Sequence, residues 1–338
     1  MHRVLLHSKR WVALTRITGT VAVMLLIVVQ AAGATTAAPL QSAPQAPVAV
    51  SGHHHPQAAA LAGEPPLLPG PSEPTNQGPF FQLICTLGAR MDDDPIVFPR
   101  QPGAAHEHQF FGAKAVDAFA TYERVRSGGT TCADAGDTAS YWVPALYDEQ
   151  GILRSPKRLR VYYYANSTDR TALQAFPPNL RMIAGDSRAT SVQPQGVINW
   201  LCRKRANQSA GYDLASAYPP RCDRDAYLSL SIRFPDCWDG QSLDSSDHRR
   251  HMAYADARTR CPASHPVKLP KLRMSITYET APFVGGNFTL GDPRGGSKAL
   301  PWMAMHADFW NTWQQDALEK YVVGCLQQGR NVRVTACQ

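Results

Sequence analysis

The sequence predicts a mainly β protein of sandwich-like antiparallel sheets, with a few helices and several disulfide bonds. Residues 228–234 and 272–278 alternate strictly between apolar and polar side chains. Such alternation is typical of strands that turn one face toward a core and the other toward water. Eight cysteines and an N-terminal stretch that is first basic and then apolar add the second observation. Together these features predict an exported, disulfide-bonded domain.

Shorter strands are predicted where apolar runs end at Gly, Pro, Asp or Asn. They are residues 81–86, 141–147, 158–164 and 197–202. Two helices are predicted among the strands. The first covers residues 116–126 and stops before two glycines, and the second carries Trp310 and Trp313 at helical spacing and ends at Gly329.

Residues 1–34 have the order of a secretory signal peptide. Basic residues up to Arg16 precede an uninterrupted apolar run from Val21 to Val29, and Ala32-Gly33-Ala34 follows as a cleavage site of small residues. The apolar run is shorter than the roughly 20 residues that cross a bilayer. We therefore expect cleavage and no stable membrane span in the mature protein.

The formal net charge of +7 is divided unevenly along the chain, because four of the positive charges lie in the leader. Residues 35–79 are rich in Pro and Ala and contain no Lys or Arg, which predicts a disordered tether. Residues 80–338 are predicted to form a single secreted domain. Its mild basic excess gives no broad field to attract nucleic acid, so we expect no nucleic-acid partner.

All eight cysteines lie beyond the leader, and none has the C-x-x-C spacing of a zinc knuckle or redox pair. Disulfides persist outside the cytosol, so four are expected, with about a hundred connectivities open. Our hypothesis is that sequence neighbours pair. The expected pairs are Cys85–Cys132, Cys202–Cys222, Cys237–Cys261 and Cys325–Cys337.

Six histidines of the predicted domain are confined to four short polar stretches. They are His106, His108, His248, His251, His265 and His306. The same stretches carry motifs in a fixed order. The motifs include His106-Glu107-His108, Tyr141–Tyr147, Phe234–Gly240, Asp247-His248, His251–Tyr254, Cys261-Pro262 and His306–Phe309.

Over residues 81–325 these motifs resemble a family of secreted proteins, the domain of unknown function numbered nineteen ninety-six. The family is found in fungi, often beside carbohydrate-binding WSC modules, and in actinomycetes. The resemblance implies an extracellular setting near glycans. It implies no activity, since the family is named for lacking a known one.

A first hypothesis is a metal site. His106 and His108 would point the same way from a strand, and His248 and His251 could do so from a turn. With His265, His306 and a carboxylate such as Asp247 or Asp308, they would form a nitrogen and oxygen donor set. No cofactor is certain from the sequence, but zinc or another divalent ion suits such donors.

A second hypothesis is metal-free hydrolysis of a glycan, which needs two carboxyl groups across the glycosidic bond. The candidates are Asp239, Asp244, Asp247 and Asp308. His251 could instead serve as the general base. The run from Asp244 to Asp247 is equally well interpreted as a structural turn.

A third hypothesis is a glycan-binding or cell-wall module without catalysis. Trp142, Trp238 and Tyr254 would then contact sugar rings, because aromatic faces stack on sugars, whereas Trp310 and Trp313 are expected in the core. Among the three hypotheses we favour a secreted protein that acts on or hydrolyses extracellular or cell-wall polysaccharide. Its histidines and aspartates should then converge on one cleft.

Overall fold

The computed structural model describes residues 78–204, 214–222, 226–278, 288–293 and 296–333. All of them belong to one compact unit, Gly63–Gln338. The predicted leader and all but the last two residues of the predicted tether lie outside this part of the chain, so their limits stay predictions. None of the described helices is long and apolar enough to cross a membrane.

The described chain is mainly antiparallel β structure with two short α-helices, which confirms the predicted fold class. In chain order the elements are β1 (Phe80–Cys85), β2 (Leu87–Met91), β3 (His108–Gly112), α1 (Tyr122–Ser127), β4 (Ser140–Pro144), β5 (Leu146–Tyr147), β6 (Pro156–Tyr164), β7 (Arg181–Gly185), β8 (Ile198–Lys204), β9 (Leu214–Ser216), β10 (Ala226–Arg233), β11 (Cys237–Trp238), β12 (Met252–Ala253), β13 (Val267–Lys268), β14 (Lys271–Tyr278), β15 (Thr289–Leu290), β16 (Leu300–Pro301), β17 (His306–Trp310), α2 (Gln315–Tyr321) and β18 (Val332–Arg333). A 3₁₀ turn, Trp302–Ala304, precedes β17, and a π-helical turn, Val322–Leu326, follows α2.

Two large sheets dominate the architecture. One has seven strands in the order β18-β1-β6-β14-β10-β8-β9, and the other has five in the order β2-β3-β4-β17-β7. Only the β1–β18 pairing is parallel among the described strand pairs of these sheets. Two smaller sheets have three strands each, in the orders β12-β11-β13 and β16-β15-β5.

The main core lies between the two large sheets. Val161 and Leu230 from the seven-stranded sheet share one buried cluster with Tyr141, Met182 and Phe309 from the five-stranded sheet. Alternate side chains of a strand point to opposite faces, so each sheet supplies every second residue to this core. The result is a β-sandwich.

The five-stranded sheet is covered on its outer face as well. Phe110, Trp142 and Trp310 form a second buried cluster there, with Val125 of α1 packed over them. Because positions two apart in a strand share a face, this outer face also receives His108 of β3. His306 and Asp308 of β17 lie on the same face as Trp310, because the three residues occupy alternate positions of the strand.

Both predicted helices are shorter than expected. Helix α1 begins only at Tyr122, because Asp117 accepts a hydrogen bond from the Phe119 amide in a turn and Thr121 caps the helix through the Arg124 amide. Trp310 lies in β17 and not in a helix, where it is paired with Ser140 and Arg181. Trp310 and Trp313 are fully buried, as predicted for core residues.

The two alternating segments form β10 and β14, with their apolar residues in the main core. Their polar side differs from the expectation that it faces water. Ser231 and Ser275 are both about 1% exposed. The two serines are paired with each other in the middle of the sheet, and Ser275 is also paired with Arg160. Their short side chains are therefore covered by the longer side chains of neighbouring strands.

Three of the predicted disulfides are present, which confirms neighbour pairing for Cys85–Cys132, Cys202–Cys222 and Cys237–Cys261. Cys325 is also disulfide-bonded. Its predicted partner, Cys337, lies outside the described residues. Each confirmed bond closes a loop of 20 to 47 residues, which restricts the unfolded chain and stabilises the fold.

Candidate functional site

Three histidines meet on the outer face of the five-stranded sheet. The ring centroid of His106 lies 4.2 Å from that of His108 and 5.0 Å from that of His306, and the His108 and His306 centroids are 5.7 Å apart. One ring nitrogen of each lies within 4.8 Å of the other two. Three imidazoles at this spacing can present their nitrogens to a single ion.

Backbone carbonyl groups fix the orientation of two of these rings. His108 Nδ1 lies 3.0 Å from the Asp93 carbonyl oxygen, and His306 Nδ1 lies 2.8 Å from that of Ala304. A carbonyl oxygen only accepts hydrogen bonds, so Nδ1 must carry the proton in both residues. Nε2 of each neutral ring is then left with its lone pair. Histidines that bind metals are typically held in this way.

Two aspartates, Asp94 and Asp308, lie close to these histidines. Asp308 of β17 is about 1% exposed, and neither of its carboxyl oxygens has a hydrogen-bond partner. Asp94 follows β2 and keeps one oxygen, Oδ1, bonded to the Ile96 and Val97 amides. Asp94, His108 and Asp308 also bring ligand atoms within 4.8 Å of one another. We call His106, His108, His306, Asp94 and Asp308 the His–Asp cluster.

Burial without partners is unusual for polar atoms, which normally lose too much free energy when they leave water unpaired. In the His–Asp cluster, Nε2 of His106 and of His108 are buried and unpartnered, as are both oxygens of Asp308. All of these atoms can donate an electron pair. The arrangement therefore fits a bound cation.

The same burial shifts the pKa values of the cluster. Loss of hydration lowers the pKa of His106 to about 4 and that of His306 to about 3, and it moves the pKa of His108 in the same direction. It raises the pKa of the Asp308 and Asp94 carboxyl groups. The imidazoles are therefore neutral near pH 7, the form that binds metals.

A glycine allows His106 to reach the cluster. Gly291 has φ +75°, and a Cβ atom there would lie 2.5 Å from the Cβ of His106. Its backbone also bonds the segment before β3, because the Glu107 amide donates to the Gly291 carbonyl oxygen at 3.0 Å. Glu107 itself faces Tyr147 and Arg90 and takes no part in the cluster.

The cluster borders a cavity of about 420 Å³. His106, His306 and Asp308 line one side of it, and Asp247 and His248 come from the loop between β11 and β12. We call this space the histidine cavity. His106, His248 and His306 come from three segments that are far apart in the sequence, so only the fold brings them together.

His248, which lines the cavity, forms a hydrogen-bonded pair with Asp244. His248 Nδ1 lies 2.8 Å from Asp244 Oδ1, and Arg181 Nη1 donates to Asp244 Oδ2 at 3.2 Å. Asp247 serves the turn, because its Oδ1 accepts from the Arg249 and Arg250 amides. These amides and the Ser245 hydroxyl hold the pKa of the Asp247 carboxyl far below its usual value.

The other two predicted histidines are placed differently. His251 is buried, with Nδ1 2.9 Å from Ser245 Oγ and Nε2 2.6 Å from the Arg181 carbonyl oxygen. His265 lies near Ser264 Oγ and the Arg250 carbonyl oxygen through its two ring nitrogens. Both rings therefore have their nitrogens occupied by the protein.

The three aromatic residues that were predicted to contact sugar rings lie in different surroundings. Trp142 is fully buried below the cluster, opposite Asp308 in the sheet and stacked on Phe110. Trp238 is half-buried, and its Nε1 donates to the Ser242 carbonyl oxygen. Tyr254 is 42% exposed and lines a second cavity of about 260 Å³ beside the first.

Sequence reasoning missed Asp94 and Arg249. Asp94 ends the run Asp92-Asp93-Asp94, a signal that could have been used, since three successive carboxylates rarely serve only solubility. Asp93 in that run accepts hydrogen bonds from the Gly103 and Ala118 amides. Arg249 lines both cavities and donates to the Gly185 carbonyl oxygen, a contact that no local pattern indicates.

The family model described as "Domain of unknown function (DUF1996)" matches residues 94–313, well over half of the chain. The chain belongs to this family. The match begins at Asp94 and ends at Trp313, so the whole His–Asp cluster of this DUF1996 protein lies within it. It confirms the family resemblance of the motifs. No curated protein and no solved structure matches the chain.

Proposed function

We propose that the protein binds a divalent metal ion such as zinc at the His–Asp cluster and uses this centre to modify or hydrolyse an extracellular polysaccharide. The carrying observation is that His106, His108 and His306 bring ring nitrogens within 4.8 Å of one another, and that His108 does the same with Asp94 and with Asp308, whose carboxyl group is buried without a partner. A divalent cation would supply the missing partner for Asp308 and for the free Nε2 atoms.

The donor set favours zinc or a similar transition metal over calcium or magnesium. Imidazole nitrogens suit zinc, whereas the harder calcium and magnesium ions prefer oxygen ligands almost exclusively. The ion would lie at the edge of the histidine cavity, since His306 and Asp308 line it. A metal centre that opens on a cavity can activate water or polarise a carbonyl group.

The extracellular setting is supported by two features. The leader has the order of a secretory signal peptide, and disulfides such as Cys85–Cys132 persist in oxidising compartments. A polysaccharide is the substrate class we propose, because exported proteins meet such polymers at the cell surface and the histidine cavity continues into a second, more apolar one.

The metal is tested by elemental analysis and by zinc titration of the purified protein. We expect about one zinc per chain, lost in His108→Ala. His265→Ala is the matched control, because both of its ring nitrogens already face protein atoms, and it should keep the zinc. Metal-free wild-type protein that does not take up zinc would overturn the proposal.

A glycan-binding module without catalysis is the second candidate, and one observation favours it. Tyr254 presents an exposed ring beside Pro235 and Pro194 in the second cavity, a surface suited to sugar rings. Incubation with cell-wall polysaccharide separates the two functions. Release of soluble product supports the enzyme, whereas retention on the polymer without release supports the module.

A further inference from the structure

The imidazole of His248 is held in one orientation by its partner. Because the Asp244 carboxylate accepts a hydrogen bond from Nδ1, the proton of the neutral ring lies on Nδ1 and the lone pair lies on Nε2. The side chain is 25% exposed and lines the histidine cavity. His248 can therefore accept a proton from a molecule in the cavity.

A chain of contacts supports this pair from behind. Arg181 forms an ion pair with the second oxygen of Asp244. The guanidinium carbon of Arg181 lies over the ring of Trp310, 4.6 Å from the ring centroid. Trp310 is fully buried and donates through Nε1 to Asn179. A base that is oriented by a carboxylate, which is itself fixed by the core, is typical of groups that transfer protons.

The backbone of His248 is also unusual. Its φ is +58°, a left-handed conformation that few residues other than glycine adopt, although Asn, Asp and His adopt it more readily than most. The other non-glycine residues described with positive φ, Arg100, Asn179 and Thr259, do not line the histidine cavity. Backbone strain of this kind is concentrated at functional sites, where the surrounding structure holds it.

His248 lines the same cavity as His106, His306 and Asp308 of the His–Asp cluster. His248 and Asp244 lie near enough to Asp94 for their charges to act on the pKa of its carboxyl group. Arg249, next in the chain, similarly acts on the pKa of His306 and Asp308. A substrate in the cavity would thus lie near the electron-pair donors of the His–Asp cluster, which would hold the cation. It would also lie near His248, which can accept a proton, and near the guanidinium group of Arg249.

These groups suit an acyl group better than a glycosidic bond. Glycoside hydrolysis needs a carboxylic acid that donates a proton and a second carboxylate across the bond. Asp247 is held ionised by the turn, and Asp308 is buried with the cluster. Hydrolysis of an ester needs instead an activated water, a proton carrier and positive charge near the carbonyl oxygen.

We propose that the protein removes ester-linked acyl groups, such as acetyl groups, from a polysaccharide, with His248 as the catalytic base and Asp244 as its positioning residue. This inference rests on the proposed metal centre and specifies its reaction. The bound metal would polarise the acyl carbonyl group. Arg249 is placed to stabilise the negative charge that develops on the carbonyl oxygen.

His248 would carry one proton from the attacking water to the leaving sugar oxygen. His248 Nε2 takes a proton from a water molecule while the water oxygen forms a bond to the acyl carbon. The bond between that carbon and the sugar oxygen then breaks, and the sugar oxygen takes the proton from Nε2. The products are a carboxylic acid and a free sugar hydroxyl group, and His248 returns to its starting state.

Acetate release from 4-methylumbelliferyl acetate and from acetylated xylan tests this inference on the full-length, zinc-loaded protein. We expect turnover by the wild type and a fall in kcat of roughly 10²–10⁴-fold in His248→Asn. Asparagine tolerates the left-handed backbone, so this variant should fold. Asp244→Asn should lower kcat with KM and zinc content unchanged.

Controls separate this inference from the metal proposal. His248→Asn should keep one zinc per chain, because His248 is not in the His–Asp cluster, and His265→Ala should keep both zinc and turnover. The Nδ1 proton of His248 should give a hydrogen-bonded NMR signal that disappears in Asp244→Ala. Bound zinc without acetate release from either substrate, or full turnover by His248→Asn, would overturn the inference while leaving the metal centre in place.

Discussion

Two buried aspartates of this protein have opposite surroundings. Asp236, between β10 and β11, has no exposed surface and is bonded to Lys268 Nζ at 2.7 Å, Asn166 Nδ2 at 2.8 Å and the Ala255 amide at 3.1 Å. Asp308 is as deeply buried, and its oxygens have no hydrogen-bond partner. A buried carboxylate with partners is compensated within the fold, whereas a buried carboxyl group without them needs a partner from outside the chain, such as water or an ion.

The largest effect on stability is expected at the partnered aspartate. Asp236→Ala leaves the ammonium group of Lys268, whose side chain is only 9% exposed, buried without its partner. We expect a loss of about 3–5 kcal/mol in the free energy of unfolding, measured by urea denaturation. Asp256→Ala breaks an exposed ion pair with Arg260 and should lower the free energy of unfolding far less than Asp236→Ala does. Equal losses in the two variants would contradict the contrast.

The unpartnered aspartate should show the reverse behaviour. Asp308→Asn keeps the shape of the side chain and replaces a carboxyl group that has no hydrogen-bond partner in the protein. Without metal, we expect its unfolding free energy to change by less than about 1 kcal/mol. With zinc, the affinity should fall by roughly 100-fold, as measured by calorimetric titration. A large loss of stability in the metal-free variant would show that Asp308 serves the fold.

Zinc itself should sharpen the difference between the two aspartates. A ligand that binds only the folded state stabilises it, by about 2.7 kcal/mol at a free concentration one hundred times the Kd. The wild type and Asp236→Asn should therefore gain thermal stability with zinc. Asp308→Asn should gain less at the same concentration. Differential scanning calorimetry with and without a chelator measures both, and equal gains would argue against Asp308 as a ligand.

A third buried carboxyl group, Asp137, lies between these extremes and has the smallest expected effect. Tyr141 donates to it at 2.9 Å, but burial still raises the pKa of Asp137 well above its unfolded value. The folded state then holds the proton more tightly, so this group favours folding at acidic pH. Its contribution declines as the pH rises from about 4 toward the folded pKa, by at most about 1.4 kcal/mol per pH unit.

Asp137→Asn should remove this pH dependence. Its unfolding free energy relative to wild type should therefore rise with pH, as followed by urea denaturation at several pH values. Tyr141→Phe, which removes the hydroxyl donor, should raise the folded pKa of Asp137 further and extend the pH dependence to higher pH. A relative stability of Asp137→Asn that stays constant from pH 4 to 8 would contradict the pKa shift.

Local patterns were sufficient for the longest strands but not for the helices. Alternation over 228–234 and 272–278 predicts β10 and β14 within two residues, because burial of one face acts on every second position. The helical spacing of Trp310 and Trp313 predicts the wrong element for Trp310. There, pairing with β4 and β7 on both sides outweighs the local pattern, since a central strand gains hydrogen bonds along both edges.

The candidate site divides in the same way. The motif with His106 and His108 indicates two imidazoles that point together, and the rings lie 4.2 Å apart. Nothing local distinguishes His251, whose nitrogens face protein atoms, from His306, whose Nε2 faces the cluster. Residue type tells which atoms can bind an ion, but their remaining partners depend on segments far away in the chain.

By itself the sequence determined the family and the mainly β class, because these depend on motifs and on spacing along the chain, whereas the pairing of neighbouring cysteines was a hypothesis that the structure confirmed for three pairs. Only the tertiary structure decided which histidines share a centre. It joined Asp94 and Asp308 to that centre, and it paired His248 with Asp244 at the histidine cavity. The physical reason is that ligand geometry depends on distances between elements, and packing of the two sheets sets those distances.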